Sequence, residues 1–185
     1  VSTGDRRRSG LVIMVSGPDR PGIVEKVAST VLAHEGSWDE ARMARLAGRF
    51  AGVVSISVPT KNVASLRKAL ESLPRGGLTI VIEEADADQT RPADDQTMLL
   101  ELTGSDREGI VKEVSTVLAH HRINVEEIVT RRREAPMAGG MLFEIQAQLR
   151  CPTGTDLEAL RAAVEGLSSE LAVDITLGKL KAAND

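Results

Sequence analysis

Gly17-Pro18-Asp19-Arg20-Pro21-Gly22-Ile23-Val24 and Gly104-Ser105-Asp106-Arg107-Glu108-Gly109-Ile110-Val111 are two versions of one octapeptide, 87 residues apart. Extended to Gly17–Glu40 against Gly104–Glu127, the match holds nine identities in 24 positions without a gap. A rival register at 86 superposes Ser29–His34 on Ser115–His120. The 87-residue register is preferred because it aligns the glycine loop together with Trp38/Val125 and Glu40/Glu127. Two such repeats nearly fill the 185 residues, so the chain reads as one plan used twice, with no room for a third domain.

Working outward from the octapeptide, each copy has the same order of elements. Leu11–Val15 and Met98–Leu102 are short apolar runs ending at a glycine, as buried strands do. Val24, Val27, Ala28 and Val31 follow at helical spacing, and Val111, Val114, Ser115 and Leu118 repeat them. Trp38–Leu46 and Val125–Arg133 mix β-branched residues with charges, as partly exposed strands do. Phe50–Val58 and Met141–Leu149 are further strands; the second alternates Met141, Phe143, Ile145, Ala147 and Leu149 against polar neighbours. A second helix carries Leu66, Ala69, Leu70 and Leu73 in one copy and Leu157, Leu160, Val164 and Leu167 in the other. Leu78–Ile82 and Val173–Leu177 close the copies as strands. The expectation is an α+β chain of two tandem ferredoxin-like (βαββαβ) modules, with both helices of each on one face of a four-stranded antiparallel sheet. Residues 1–9 read as a disordered tail, 10–82 as the first module, 83–96 as an acidic linker and 97–180 as the second.

The octapeptide lies where the first strand meets the first helix, and its chemistry is legible. Gly17 and Gly104 suit a tight turn, and Asp19 and Asp106 suit acceptance of hydrogen bonds from the unpaired N–H groups of the helix start. Pro21 suits the first helical turn, where its missing donor costs nothing. Gly22 and Gly109 remove a side chain where a ligand or second backbone could approach. Free N–H groups at a helix start accommodate a small carboxylate or phosphate. A plain capped helix start satisfies the same spacing, so residue types alone leave both readings open.

The element order and the Gly-Pro-Asp-Arg-Pro-Gly-Ile-Val loop resemble the ACT domain, a small regulatory module that typically binds amino acids at module interfaces. The tandem pair in a short chain is similar to the glycine cleavage system transcriptional repressor family. Ile123-Asn124-Val125-Glu126-Glu127 resembles that family's Asn-Ile segment opening strand two, and residues 135–143 its longer second hairpin. The resemblance implies a ligand carboxylate on the backbone of Gly17, Asp19, Arg20, Gly22 and Ile23, or of Gly104, Asp106, Arg107, Gly109 and Ile110. It implies also that Asn124 hydrogen-bonds the ligand from strand two of an adjoining module. The first copy departs by carrying Ser37 and Trp38 where the second has Asn124 and Val125. Trp38 could line a pocket, although its apolar area suits a core position better.

Composition narrows the classes further. The chain is 42% hydrophobic and 27% charged, as soluble globular proteins are, and no apolar run reaches the length of a membrane span. Its 2% aromatic content and net charge of −4 argue against a base-stacking nucleic-acid binder. The first 82 residues hold 12 basic and 7 acidic groups (+5), residues 83–96 sum to −5, and the remainder to −4. A single cysteine, Cys151, rules out an intrachain disulfide framework and suggests a reducing, cytoplasmic setting. The absence of an initiator Met suggests a processed or truncated terminus.

Other signals are weaker. Asp86-Ala87-Asp88-Gln89-Thr90 matches the Asp-x-Asp-x-Thr motif of haloacid-dehalogenase-type phosphatases, but it sits in acidic linker sequence instead of at the tip of a buried strand. His120 and His121 with Glu126 and Glu127 are conceivable metal ligands, yet His34 and His121 better suit the end of the first helix. Arg131–Arg133 reads as a solvated charge run. No nucleophile–base arrangement has supporting context, and no metal or cofactor is expected. The function expected is a non-catalytic amino-acid-binding regulator acting on transcription or on glycine and one-carbon metabolism. Its expected partners are a free amino acid and a protein such as a transcription factor, with a homodimer as the assembly and no direct nucleic-acid or membrane contact. The alternative is the regulatory fragment of an amino-acid-pathway enzyme, phosphatase or formyltetrahydrofolate deformylase-like, lacking its catalytic domain.

Overall fold

The computed structural model describes residues 7–73, 76–85, 95–135 and 139–179. The chain divides into two compact units, Val1–Thr90 and Arg91–Asp185. In the first, β1 (Arg8–Pro18), α1 (Ile23–Ala33), β2 (Ser37–Leu46), β3 (Arg49–Pro59), α2 (Val63–Glu71) and β4 (Thr79–Glu84) follow in order, with a 3₁₀ turn at Thr60–Asn62 leading into α2. The second runs β5 (Gln96–Ser105), α3 (Ile110–His120), β6 (Asn124–Glu134), β7 (Met141–Cys151), α4 (Leu157–Leu171) and β8 (Val173–Lys179). The sheet orders are β2-β3-β1-β4 and β6-β7-β5-β8, all neighbours antiparallel. This is the α+β, doubled βαββαβ architecture that the repeat implies.

Period-two alternation sets each sheet's two faces. Leu11, Ile13 and Val15 of β1 and Val54, Ile56 and Val58 of β3 point under the helices and are buried with Val27, Val31, Leu66 and Leu70. Met98, Leu100, Leu102, Ile145, Ala147 and Leu149 form the matching layer beneath Val114, Leu118, Leu160 and Val164. Each fully buried aliphatic side chain supplies roughly 1.5–3 kcal/mol of transfer free energy, so these layers are the main source of each unit's stability. No charged or polar residue is buried among the described residues.

The 87-residue register is visible in geometry. Gly22 and Gly109 are both left-handed N-caps, at φ 88° and 91°. His34 and His121 are both C-caps, and the His34 ring bonds the Thr30 carbonyl through Nδ1 at 2.8 Å. β2 and β6 each break register at equivalent places, between Trp38 and Glu40 and between Val125 and Glu127.

Three expectations need correction. Arg8 and Ser9 are not tail but pair with Pro59 and Val58 in the sheet. Glu83 and Glu84 pair with Val12 and Leu11, and Gln96 with Cys151, so both ends of the acidic segment are strand. An edge strand tolerates charges because one side meets water, so charge alone misplaces its boundary. Trp38 is 36% exposed instead of core, because β2 is an edge strand. The Asp86–Thr90 motif lies outside the described residues.

Candidate functional site

The octapeptide forms a hinge between strand and helix in each unit, but its residues do different work from that expected. Gly17 and Gly104 lie inside β1 and β5, not in a turn. A Cβ on Gly17 would stand 2.7 Å from Leu78 Cδ2 and 2.8 Å from the Gly77 carbonyl, and one on Gly104 2.2 Å from Val173 Cγ1. Both glycines therefore permit close passage of the chain entering the last strand. Gly22 and Gly109 are required by their positive φ, which other residues adopt only at a cost. Pro21 precedes the N-cap and stands outside the helix.

Neither aspartate caps a helix; no side chain caps α1 or α3. Asp19 instead donates its backbone N–H to the Gly48 carbonyl at 3.0 Å and binds Arg45 Nε through Oδ2 at 2.6 Å. Asp106 repeats this, donating its N–H to the Met141 carbonyl at 2.8 Å and binding Arg132 Nη2 at 2.5 Å. Arg45 and Arg132 are themselves 87 residues apart. The aspartates are drawn toward strand two, 26 residues away in both copies, and the first amides of both helices are left without a side-chain acceptor. Such partly exposed pairs are worth about 0.2–1 kcal/mol, so they place groups more than they hold the fold. Arg131–Arg133 are exposed, as a solvated charge run is, while Arg132 also partners the loop and Arg133 binds Glu144 at 2.5 Å.

The remaining candidates separate into two groups. Ile23 and Ile110 are buried, at 3% and 2% exposure, so only their backbone faces the loop. The Arg20 guanidinium overlies Gly76, and Arg107 binds Glu113 at 2.8 Å. Ser37, Trp38 and Asn124 lie at the opposite ends of β2 and β6 from Arg45 and Arg132. At about 3.3 Å per residue, Trp38 is roughly 23 Å along the strand from Arg45, and Asn124 roughly 26 Å from Arg132. No single module brings these residues to its own loop. Among the described residues no group of three or more His, Cys, Asp and Glu is gathered as for a metal ion. Nor is any helix among them long and apolar enough to cross a membrane.

The family model for the ACT domain matches residues 9–82 and 96–178, both copies of the repeat. The chain belongs to the ACT domain family. It is 24% identical over 165 residues to the glycine cleavage system transcriptional repressors of Escherichia coli K12 and Shigella flexneri, covering 87% of this chain and 85% of theirs. Among solved structures it is similar to a protein described as unknown from Galdieria sulphuraria, at 31% identity and a TM-score of 0.85, over 95% of this chain and 100% of that one. A putative glycine cleavage system transcriptional repressor has the same fold, with a TM-score of 0.68 at 20% identity over 95% and 99% of the two chains. The likeness thus runs through 85% of each of the two repressors and nearly all of the two solved chains.

Proposed function

We propose that this tandem ACT protein is a non-catalytic, cytoplasmic regulator that binds a free amino acid at its glycine loops and signals through a protein partner. The process regulated is transcription or glycine and one-carbon metabolism, in keeping with the name of the E. coli relative. The observation that carries the reading is the uncapped start of α1 and of α3, each beside an Asp–Arg pair repeated at the same spacing. Unpaired amides at a helix start favour a carboxylate, and a guanidinium held at the loop adds a fork-shaped donor.

In this reading Asn124, remote from its own loop, serves the loop presented by a second copy in a homodimer, and Ser37 and Trp38 replace it in the first module. A ligand shifts an assembly only by its differential affinity for two arrangements. A site completed by the second copy supplies that difference, and the dimer then presents a changed surface to the partner.

The test is titration with glycine, serine and the other free amino acids, read by heat and by melting temperature. A bound amino acid at about 100 times its Kd stabilises the protein by about 2.7 kcal/mol. Arg132→Ala and Arg45→Ala are expected to weaken that binding while the folded spectrum persists. Unchanged heats and melting temperatures across the panel at millimolar concentration overturn the proposal.

A further inference from the structure

We propose that the first module carries a second binding site, remote from its glycine loop, for a small zwitterion of amino-acid or dipeptide size. A cavity of about 750 Å³ opens between the start of β1, the end of β4 and the start of α2. Its walls include Ser9, Thr60, Val63, Ala64, Arg67 and Glu84. Gly10, on its rim, is seven residues from Gly17, about 23 Å along β1, so the cavity and the loop lie at opposite ends of the module.

The wall holds groups of both charges. Arg67 Nη1 donates to the Ile82 carbonyl at 2.7 Å, which anchors the guanidinium and leaves other N–H groups for a carboxylate. Glu84 is two residues beyond Ile82 and so on the same face of β4. Among the described residues no hydrogen bond or ion pair engages its carboxylate. Thr60 Oγ1 donates to the Arg7 carbonyl at 3.1 Å, so in its 3.0 Å contact with Ser9 the Ser9 hydroxyl is the donor. The lone pairs of Ser9 Oγ then remain for an ammonium group. Val63 and Ala64 supply an apolar wall. Arg8 also borders the cavity; its Nη2 is held by the Glu35 and Ser57 carbonyls and Ser37 Oγ and its Nε faces Ser57 Oγ, so it stands beside Arg67 as a second, anchored cation on the carboxylate side.

These groups select by charge. A simple anion on Arg67 meets the Glu84 carboxylate, and a simple cation on Glu84 meets Arg67; a molecule with both charges satisfies both. The second module does not repeat the arrangement. Glu84 pairs with Leu11 across the sheet, and the residue in that position opposite Met98 is Lys179, which reverses the sign.

Titration of the full chain with L-alanine, L-leucine and L-alanyl-L-alanine tests the site, with N-acetyl-L-leucine and L-leucinamide as probes lacking one charge. At least one zwitterion is expected to bind and to shift the backbone amide resonances of Ser9, Thr60 and Glu84. Glu84→Gln, Arg67→Lys and each single-charge probe are expected to weaken binding at least about tenfold. Glu84 is exposed, so E84Q leaves folding intact and keeps the result readable. No heat from any zwitterion up to about 10 mM, a range reaching very weak affinities, overturns the site. So does binding that survives both substitutions. Binding that moves only the amides of Gly22 or Gly109 and ignores E84Q overturns this site and leaves the loop reading standing.

Discussion

The two modules share a backbone plan but differ on the sheet face turned away from the helices. In the first, one row across the strands reads Arg42, Val53, Met14, Val81. The corresponding row of the second reads Val129, Gln146, Glu101, Thr176. Val53 and Val81 are 48% and 44% exposed, so the first row is an open apolar strip. Glu101, Gln146 and the Arg133–Glu144 pair make the second face polar, with Glu101 accepting from Gln146 at 3.2 Å. By contrast, the glycine loops, the Asp–Arg pairs, the caps of the first helix of each module and the strand-two bulges are the same in both. Positions that backbone geometry requires are shared, whereas the face that geometry leaves free has taken two chemistries.

Mutations that strike equivalent positions should break or sharpen this comparison. The largest effects belong to the shared layer: Leu66→Ala and Leu160→Ala, each fully buried, should cost about 2–5 kcal/mol. Urea unfolding read by module-specific probes should show each loss in its own unit, and a loss below 1 kcal/mol would show that the two cores are not equivalent. Next comes Gly104→Ala, whose new methyl meets Val173 Cβ at 2.7 Å, at about 1–3 kcal/mol. Gly17→Ala meets a backbone carbonyl and should cost no less, so a neutral result at either position would remove the close-packing account.

Helix capping separates the modules again. Asp156 accepts from the Glu158 and Ala159 amides at the start of α4, whereas no side chain caps α2. Asp156→Ala should cost about 1 kcal/mol in the second unit. Smaller still are Asp19→Ala and Asp106→Ala, about 0.2–1 kcal/mol and equal within error, and weaker in high salt. Under the proposed function, amino-acid binding should change more than stability does in both variants.

At neutral pH the smallest effect is that of Cys151, buried where the first module has Val58. Burial, and secondarily the nearby Asp95 carboxylate, raise its thiol above the ordinary value of 9.0. The unfolded thiol therefore loses its proton first, so stability is complete below pH 9 and falls as pH rises from there through the folded value. Equilibrium unfolding from pH 8 to 10 should show that fall in the second unit, and Cys151→Val should abolish this contribution. An unchanged slope in the variant would assign the fall to other groups.

Much of this protein was legible in its residues. The 87-residue repeat, the apolar run Leu11–Val15, the alternation of Met141–Leu149 and the helical spacing of Val27 and Val31 determine the doubled βαββαβ plan, because periodicity is local and burial needs one apolar face; Val24, read onto that face, is exposed, and Ile23 is buried in its stead. The candidate loop was legible only as the junction of strand and helix. Local spacing makes Asp19 a helix cap, but the tertiary structure draws it to Arg45; it makes Gly17 a turn residue, but the structure uses it to admit Leu78. Trp38 has the composition of a core residue and an edge-strand position, and the cavity beside Arg67 joins β1, α2 and β4. Each of these depends on contacts between residues distant in the chain, set by sheet order and strand register, which the folded backbone alone decides.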